Sequence, residues 1–137
     1  MTVALDTNVL IDAIVEQREY QDAQALILAI AQGRLAGLIS ANSITDIYYI
    51  LKKRIGDERT REAIRNLLSV FQVAEVGLPV CETALSLPMR DFEDAVLAVC
   101  AKIAGADAVV TGDLAFLAET EAPVQITTVR DILDTLS

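Results

Sequence analysis

The sequence predicts an α/β fold: a mainly parallel five-stranded sheet with helices on both faces, built by one domain over residues 1–137. Three observations predict it. Short apolar runs alternate with segments whose apolar positions recur at helical spacing, the pattern of strand–helix–strand crossovers. Gly33, Gly56, Gly77, Pro88 and Gly105 punctuate the joins, while no tract rich in Pro, Gly or Ser marks a domain boundary. Apolar residues make up 53% of the 137, with few aromatics, enough for a substantial aliphatic core.

The elements follow in order. Thr2 to Asp6 reads as a buried strand, and Asn8 to Val15 as a helix with Val9, Leu10, Ala13 and Ile14 inward. Ala23, Leu26, Ile27 and Ile30 mark a second helix that Gly33 stops. Leu35 to Ser40 is strand two. Asn42 or Ser43 can cap a third helix carrying Ile44, Ile47, Tyr48 and Leu51, which ends at Gly56. Ile64, Leu67 and Leu68 mark the fourth helix, and Phe71 to Val76 reads as strand three. A helix follows from Val80 to Leu87. Asp91 then caps a helix with Val96, Val99, Cys100 and Ile103 on one stripe, closed by Gly105. Ala106 to Thr111 is strand four, Leu114 to Leu117 a short helix, Val124 to Thr128 strand five, and Val129 to Leu136 the last helix.

Composition narrows the function. No apolar stretch approaches the roughly 18 to 20 residues that cross a bilayer, and Leu5-Asp6-Thr7-Asn8 puts a charge where a signal peptide would be apolar. A soluble, cytoplasmic protein is expected. Cys81 and Cys100 lie far apart without histidine or a C-x-x-C pair, so they read as core thiols rather than zinc ligands. A net charge of −9 opposes nonspecific attraction to nucleic acid. The one basic concentration is Lys52, Lys53 and Arg54 followed by Arg59, Arg61 and Arg65. The first three also complement the dipole at a helix carboxyl end.

Aspartates recur where apolar strands give way to helices, and there is no histidine. Asp6 ends strand one, with Asn8 close enough to orient it. Asp46 stands in the helix after strand two, where Ser43 and Asp46 also fit a capping box. Asp91-Phe92-Glu93-Asp94 places three acids in four residues, which repel one another unless a cation or a helix amino terminus neutralises them. There Asp91 can cap, Glu93 can face solvent, and Asp94 sits above the small Ala98 and Ala101. In Thr111-Gly112-Asp113 the glycine permits a tight turn that presents a hydroxyl and a carboxylate. Each aspartate alone could be a helix cap. All four fall at one sheet edge, where ligand sites of open α/β sheets form, and carboxylates without imidazole or thiolate suit a hard cation such as Mg²⁺ or Mn²⁺. Metal-dependent phosphodiester chemistry is the expectation, with the acids titrating as a coupled group and one proton held late.

At these residues the chain resembles the PIN-domain family, which includes ribonuclease toxins of the VapC type. The matching elements are Asp6-Thr7-Asn8 after strand one, the acid in the helix after strand two, Asp94-Ala95 in a helix ending at Gly105, and Thr111-Gly112-Asp113 after strand four. Their ordered combination covers nearly the whole chain. The resemblance implies an α/β/α sandwich, a Mg²⁺ or Mn²⁺ site, and endonucleolytic hydrolysis of RNA by metal-activated water, leaving 5′-phosphate and 3′-hydroxyl ends. Carried over by position, the catalytic acids are Asp6, Asp46, Asp94 and Asp113, with Asp6, Asp94 and Asp113 on the metal and Asn8, Thr111 and Glu93 in support. RNA would approach over Lys52, Lys53, Arg54, Arg59, Arg61 and Arg65. For a toxin, the resemblance further implies a small antitoxin and a homodimer, for which Tyr48, Tyr49 and Leu51 are candidate contacts. The chain departs from the family pattern twice: the second acid is commonly Glu rather than Asp46, and Ala115 precedes Phe116 where many members carry an acid.

Rival enzymes fit poorly. A haloacid-dehalogenase-like phosphotransferase needs Asp-x-Asp after strand one, where this chain has Asp6-Thr7-Asn8. A receiver-type phosphoacceptor needs an aspartate after strand three, where Gly77 and Leu78 stand. The remaining alternative is an inactive PIN-like scaffold that binds RNA or a partner protein.

Overall fold

In the computed structural model, which describes residues 1–137, the chain runs β1 (Thr2–Leu5), α1 (Thr7–Val15), α2 (Tyr20–Ala31), β2 (Ala36–Ser40), α3 (Ala41–Ile55), α4 (Asp57–Val70), β3 (Gln72–Ala74), α5 (Leu78–Ser86), α6 (Phe92–Ile103), β4 (Ala108–Val110), α7 (Leu114–Leu117), β5 (Gln125–Thr127) and α8 (Val129–Thr135). All strand pairs are parallel, in the order β3-β2-β1-β4-β5. The period of two along β1 divides the core: Val3 and Leu5 pack with α1, α2, α3, α4 and α8, while Ala4 faces α6 and α7 on the other side. A third cluster joins α5 and α6 beneath Ala74 of β3. These layers make the α/β/α sandwich expected from the sequence.

Strand order positions the site. From β1 the chain moves one way to β2 and β3, then returns to the other side for β4 and β5. The reversal falls between β1 and β4, and open α/β sheets bind ligands outside the carboxyl ends of strands at such a point. Asp6 follows β1 there, and Thr111 to Asp113 follow β4.

The structure corrects several boundaries. Helix α3 begins before the expected cap at Asn42 or Ser43: Ser40 is the capping residue, and its hydroxyl lies 2.6 Å from that of Ser43 within the core. Asp46 therefore stands in the second turn and closes no capping box. Phe71 leaves strand three to cap α4 and buries its ring beside β2, where a Cβ on Gly37 would come within 2.6 Å of it. Ile103 is 59% exposed, so the buried stripe of α6 ends at Ala101. Leu51 is fully buried, which removes it from any dimer surface, whereas Tyr49 is 63% exposed. Cys100 is buried and Cys81 partly so, and neither is bonded to the other. No helix is long and apolar enough to cross a membrane.

Candidate active site

The site is assembled around Asp6. Its Oδ1 accepts the Thr7 amide at 2.8 Å, capping α1, while its Oδ2 accepts the Thr111 hydroxyl at 2.8 Å and the Asn8 amide at 3.1 Å. Capping and site-building are thus done by different oxygens of one carboxylate. Asn8 also ties the two loops together, because its Oδ1 accepts the Gly112 amide at 3.0 Å. Thr111 is buried, and its Oγ1 accepts the Asp113 amide at 3.0 Å while donating to Asp6. Asp113 caps α7 through Oδ1, which accepts the Ala115 amide at 3.0 Å. Burial raises the Asp6 pKa from its ordinary value, opposed by its hydrogen bonds, Thr111 first, and reinforced by the Asp113 charge. Thr111→Val keeps the side-chain shape but removes these bonds and a longer one from Asn8 Nδ2 at 3.4 Å. It is expected to cost about 1–3 kcal/mol in urea unfolding and to raise the Asp6 pKa further in an NMR titration. A loss below about 0.5 kcal/mol would show that the hydroxyl is dispensable.

A second loop brings the remaining acids. Asp91 caps α6 by accepting the Asp94 amide at 2.9 Å, so the Asp94 side chain is left for the cleft. Asp6, Asp94 and Asp113, together with Asp91 and Glu93, line one open cleft of about 400 Å³. Asp94 is partly buried, and its pKa is pushed up to about 7, first by burial and then by the charges of Asp91, Asp6, Asp113 and Glu93. A proton is therefore held late. Glu93 faces the cleft as well as solvent: burial raises its pKa, followed by a hydrogen bond and charge from Asp46. Asp46 does not line the cleft itself and meets the cluster through Glu93.

The donor set fits a hard divalent cation in kind, being all carboxylate and amide or hydroxyl oxygen, without thiolate or imidazole. In placement the fit is looser. No three of the acids converge closely enough to form a ligand set in this arrangement. Two causes are visible: Asp6, Asp91 and Asp113 each give an oxygen to a backbone cap, and the unneutralised charges repel. Of the cleft acids, Asp6, Asp94 and Asp113 are the ones that could hold such an ion.

Two cleft residues escape the sequence reading. Asp12 is only 8% exposed, lines the cleft one helical turn beyond Asn8, and accepts Gln17 Nε2 at 2.9 Å. A lone acid inside Val9-Leu10-Ile11-Asp12-Ala13-Ile14 was the signal available. Arg18, from the α1–α2 connection, lines the cleft beside it and has no periodic signature. The expected basic strip is divided. Arg54 reaches the cleft wall by donating to Gln17 Oε1 at 3.3 Å. Arg61 and Arg65 instead line a groove of about 330 Å³ with Tyr48 and Tyr49, where Lys52 and Arg61 lie over the Tyr48 ring. Arg61 is also paired with Asp57 at 2.9 Å. Lys53 and Arg59 are exposed, and Arg59 lies about 200° round α4 from Arg61.

A family model described as PIN domain matches residues 2–115. Solved structures share the fold. A chain of VapBC2 from Rickettsia felis, bound to a DNA fragment from its promoter, aligns with a TM-score of 0.73 at 17% identity, covering 93% of this chain and 98% of that one. VapC20 of Mycobacterium tuberculosis, a Sarcin-Ricin loop cleaving toxin, aligns with a TM-score of 0.66 at 16% identity over 83% of this chain and 92% of its own. A chain of a toxin-antitoxin complex from Klebsiella pneumoniae gives a TM-score of 0.64 at 23% identity, over 85% and 90% of the two chains. No curated protein matches the chain in sequence.

Proposed function

This chain belongs to the PIN-domain family, and from that premise we propose that it is a Mg²⁺- or Mn²⁺-dependent endoribonuclease, the toxin of a toxin–antitoxin pair. The observation that carries the reading is the joining of Asp6, Asp94 and Asp113 in one cleft at the β1–β4 reversal, with the Asp94 proton held to about pH 7. An unneutralised cluster of this kind costs folding free energy, which a cation returns on binding.

Asp6, Asp94 and Asp113 would hold the ion, and Glu93 with Asp46 would form the outer acidic wall. A bound divalent ion supplies acidity to a water molecule and offsets charge growing on the phosphate. The protein's own part is positional. Thr111 and Asn8 fix Asp6, the Asp113 cap fixes the β4 turn, and Asp91 fixes the start of α6. Arg54, held by Gln17, faces the incoming RNA backbone from α3. In support of a toxin with an antitoxin are the VapBC and toxin-antitoxin relatives, and an apolar groove of about 340 Å³ between α1, α2 and α4, at which Leu28 is 57% exposed. That groove offers an apolar seat for a small antitoxin, and the exposed Tyr49 surface one for a second copy.

A scaffold without activity is favoured by one observation, the lack of a converged ligand set. Incubating the protein with RNA separates the two. Cleavage is expected with Mg²⁺ or Mn²⁺, is abolished by EDTA, and leaves 5′-phosphate ends. Cleavage that survives EDTA, or products ending in 2′,3′-cyclic phosphate, would contradict the metal-dependent reading, and no cleavage with either ion favours the scaffold.

A further inference from the structure

A second cavity, of about 440 Å³, adjoins the acidic cleft and falls in the size range of small-ligand sites. Asp12 and Arg18 line both spaces, and the Thr111-Gly112 turn that leads to Asp113 lines the cavity. The cavity thus lies beside the cleft, within reach of a strand whose phosphate would sit there. Apolar walls come from Val9, Leu114, Leu117 and Val129. Leu114 is 80% exposed at the rim of the cavity.

The polar groups at this cavity differ in availability. The Arg130 guanidinium is held by Asp22 at 2.5 Å and Asp134 at 3.5 Å. Arg18 is held more loosely: its side chain is 69% exposed, and its ion pair with Asp12 spans 3.9 Å, beyond hydrogen-bond length. Its backbone is in the left-handed region at φ +53°, close after Glu16 at φ +56°. Residues other than glycine are held so at a cost, often where a side chain must be aimed.

We propose that this cavity seats a nucleobase of the RNA, one that flanks the phosphodiester lying in the acidic cleft. The proposal rests on the endoribonuclease reading and adds the source of its sequence preference. The base turns out of the strand, lies against the leucine and valine walls, and is read at its edge by Arg18. Single-stranded RNA is recognised in this way, by splayed bases on apolar or aromatic faces. A guanidinium fork suits a base with two adjacent acceptors, as guanine presents at O6 and N7.

The test uses the full chain and the four free nucleosides, which carry no phosphate and need no metal. Guanosine is expected to give saturable NMR shifts at the amides of Leu117, Thr128 and Val129, and to bind more tightly than adenosine or uridine. Arg18→Gly suits the left-handed backbone, so it should fold at least as stably as the parent while binding guanosine about tenfold or more weakly. Leu114→Asp, at an exposed position, should weaken binding similarly without loss of fold. Shifts confined to the acidic cleft, no saturable shifts with any nucleoside, or equal affinity in Arg18→Gly would overturn the proposal. Metal-dependent cleavage is scored separately, so failure of the base site leaves the nuclease reading standing, and loss of that reading does not alter the nucleoside titration.

Discussion

Asp94→Asn is expected to abolish RNA cleavage while leaving the fold intact or more stable. The position is the third residue of α6, and its backbone amide, not its carboxylate, completes the Asp91 cap, so that bond survives the substitution. The carboxylate itself faces Asp91, Asp6, Asp113 and Glu93 across the cleft. Asparagine removes a charge from this repelling group and stabilises the metal-free protein. On the proposed reading it also removes an anionic ligand that would hold the divalent ion. A loss of about a thousandfold in the cleavage rate corresponds to roughly 4 kcal/mol of barrier. Measured rates with Mn²⁺ and thermal melts in EDTA read the two effects independently. If Asp94→Asn cleaves like the parent, the role given to Asp94 is wrong; if it merely unfolds, the carboxylate is structural.

The second large effect is on stability against pH. Asp94 holds its proton to about 7 in the fold, against an ordinary value of 3.8. Between those limits the folded protein binds more protons than the unfolded chain, so stability falls as pH rises through the window and levels off above it. Asp6 and Glu93, whose pKa values are also raised, act in the same direction. Asp57 does not cancel them, because its pKa is lowered, by Tyr48 and Arg61, and its stabilisation is lost only below the ordinary carboxylate value. Urea unfolding in EDTA should therefore show the protein weaker at pH 8 than at pH 5. Mn²⁺ should restore it at pH 8, by about 2.7 kcal/mol when the free ion is a hundredfold above its Kd. Asp94→Asn should flatten the slope. A stability that rises from pH 4 to pH 7 in EDTA would contradict the arrangement of charges described above.

Asp6, Asp94 and Asp113 share a cleft because a local pattern and a tertiary position coincide at each. Asp6 and Asp113 follow buried strands, and a strand's end lies at the sheet's edge whatever the neighbours are. Asp94 was legible because crowded acids at a helix start need an external partner. For Asp6 capping and site-building coexist, since one oxygen caps and the other builds the site, whereas at α6 Asp91 takes the cap and leaves the Asp94 carboxylate free of it. Asp46 was harder. Its helix begins at Ala41, earlier than the local signals indicate, because Ser40 and Ser43 satisfy each other inside the core. It reaches the cluster through Glu93, a residue that local reasoning left to solvent.

By itself the sequence determined the element order, the parallel sheet with helices on two faces, the edge that carries the acids, and a donor set suited to a hard cation. Those follow from periodicity and residue chemistry, which record how deeply each position is buried and what its side chain can bind. Only the tertiary structure decided which neighbours meet. The β1–β4 reversal, the contact of Asp6 with Thr111 across 105 positions of chain, the Asp12 wall and the Arg18 side chain all depend on strand order and loop path. The pKa of Asp94 does so too, since it is set by charges brought across the cleft from other elements as well as its own. Burial patterns fix which side of an element faces inward; they carry no record of what stands opposite.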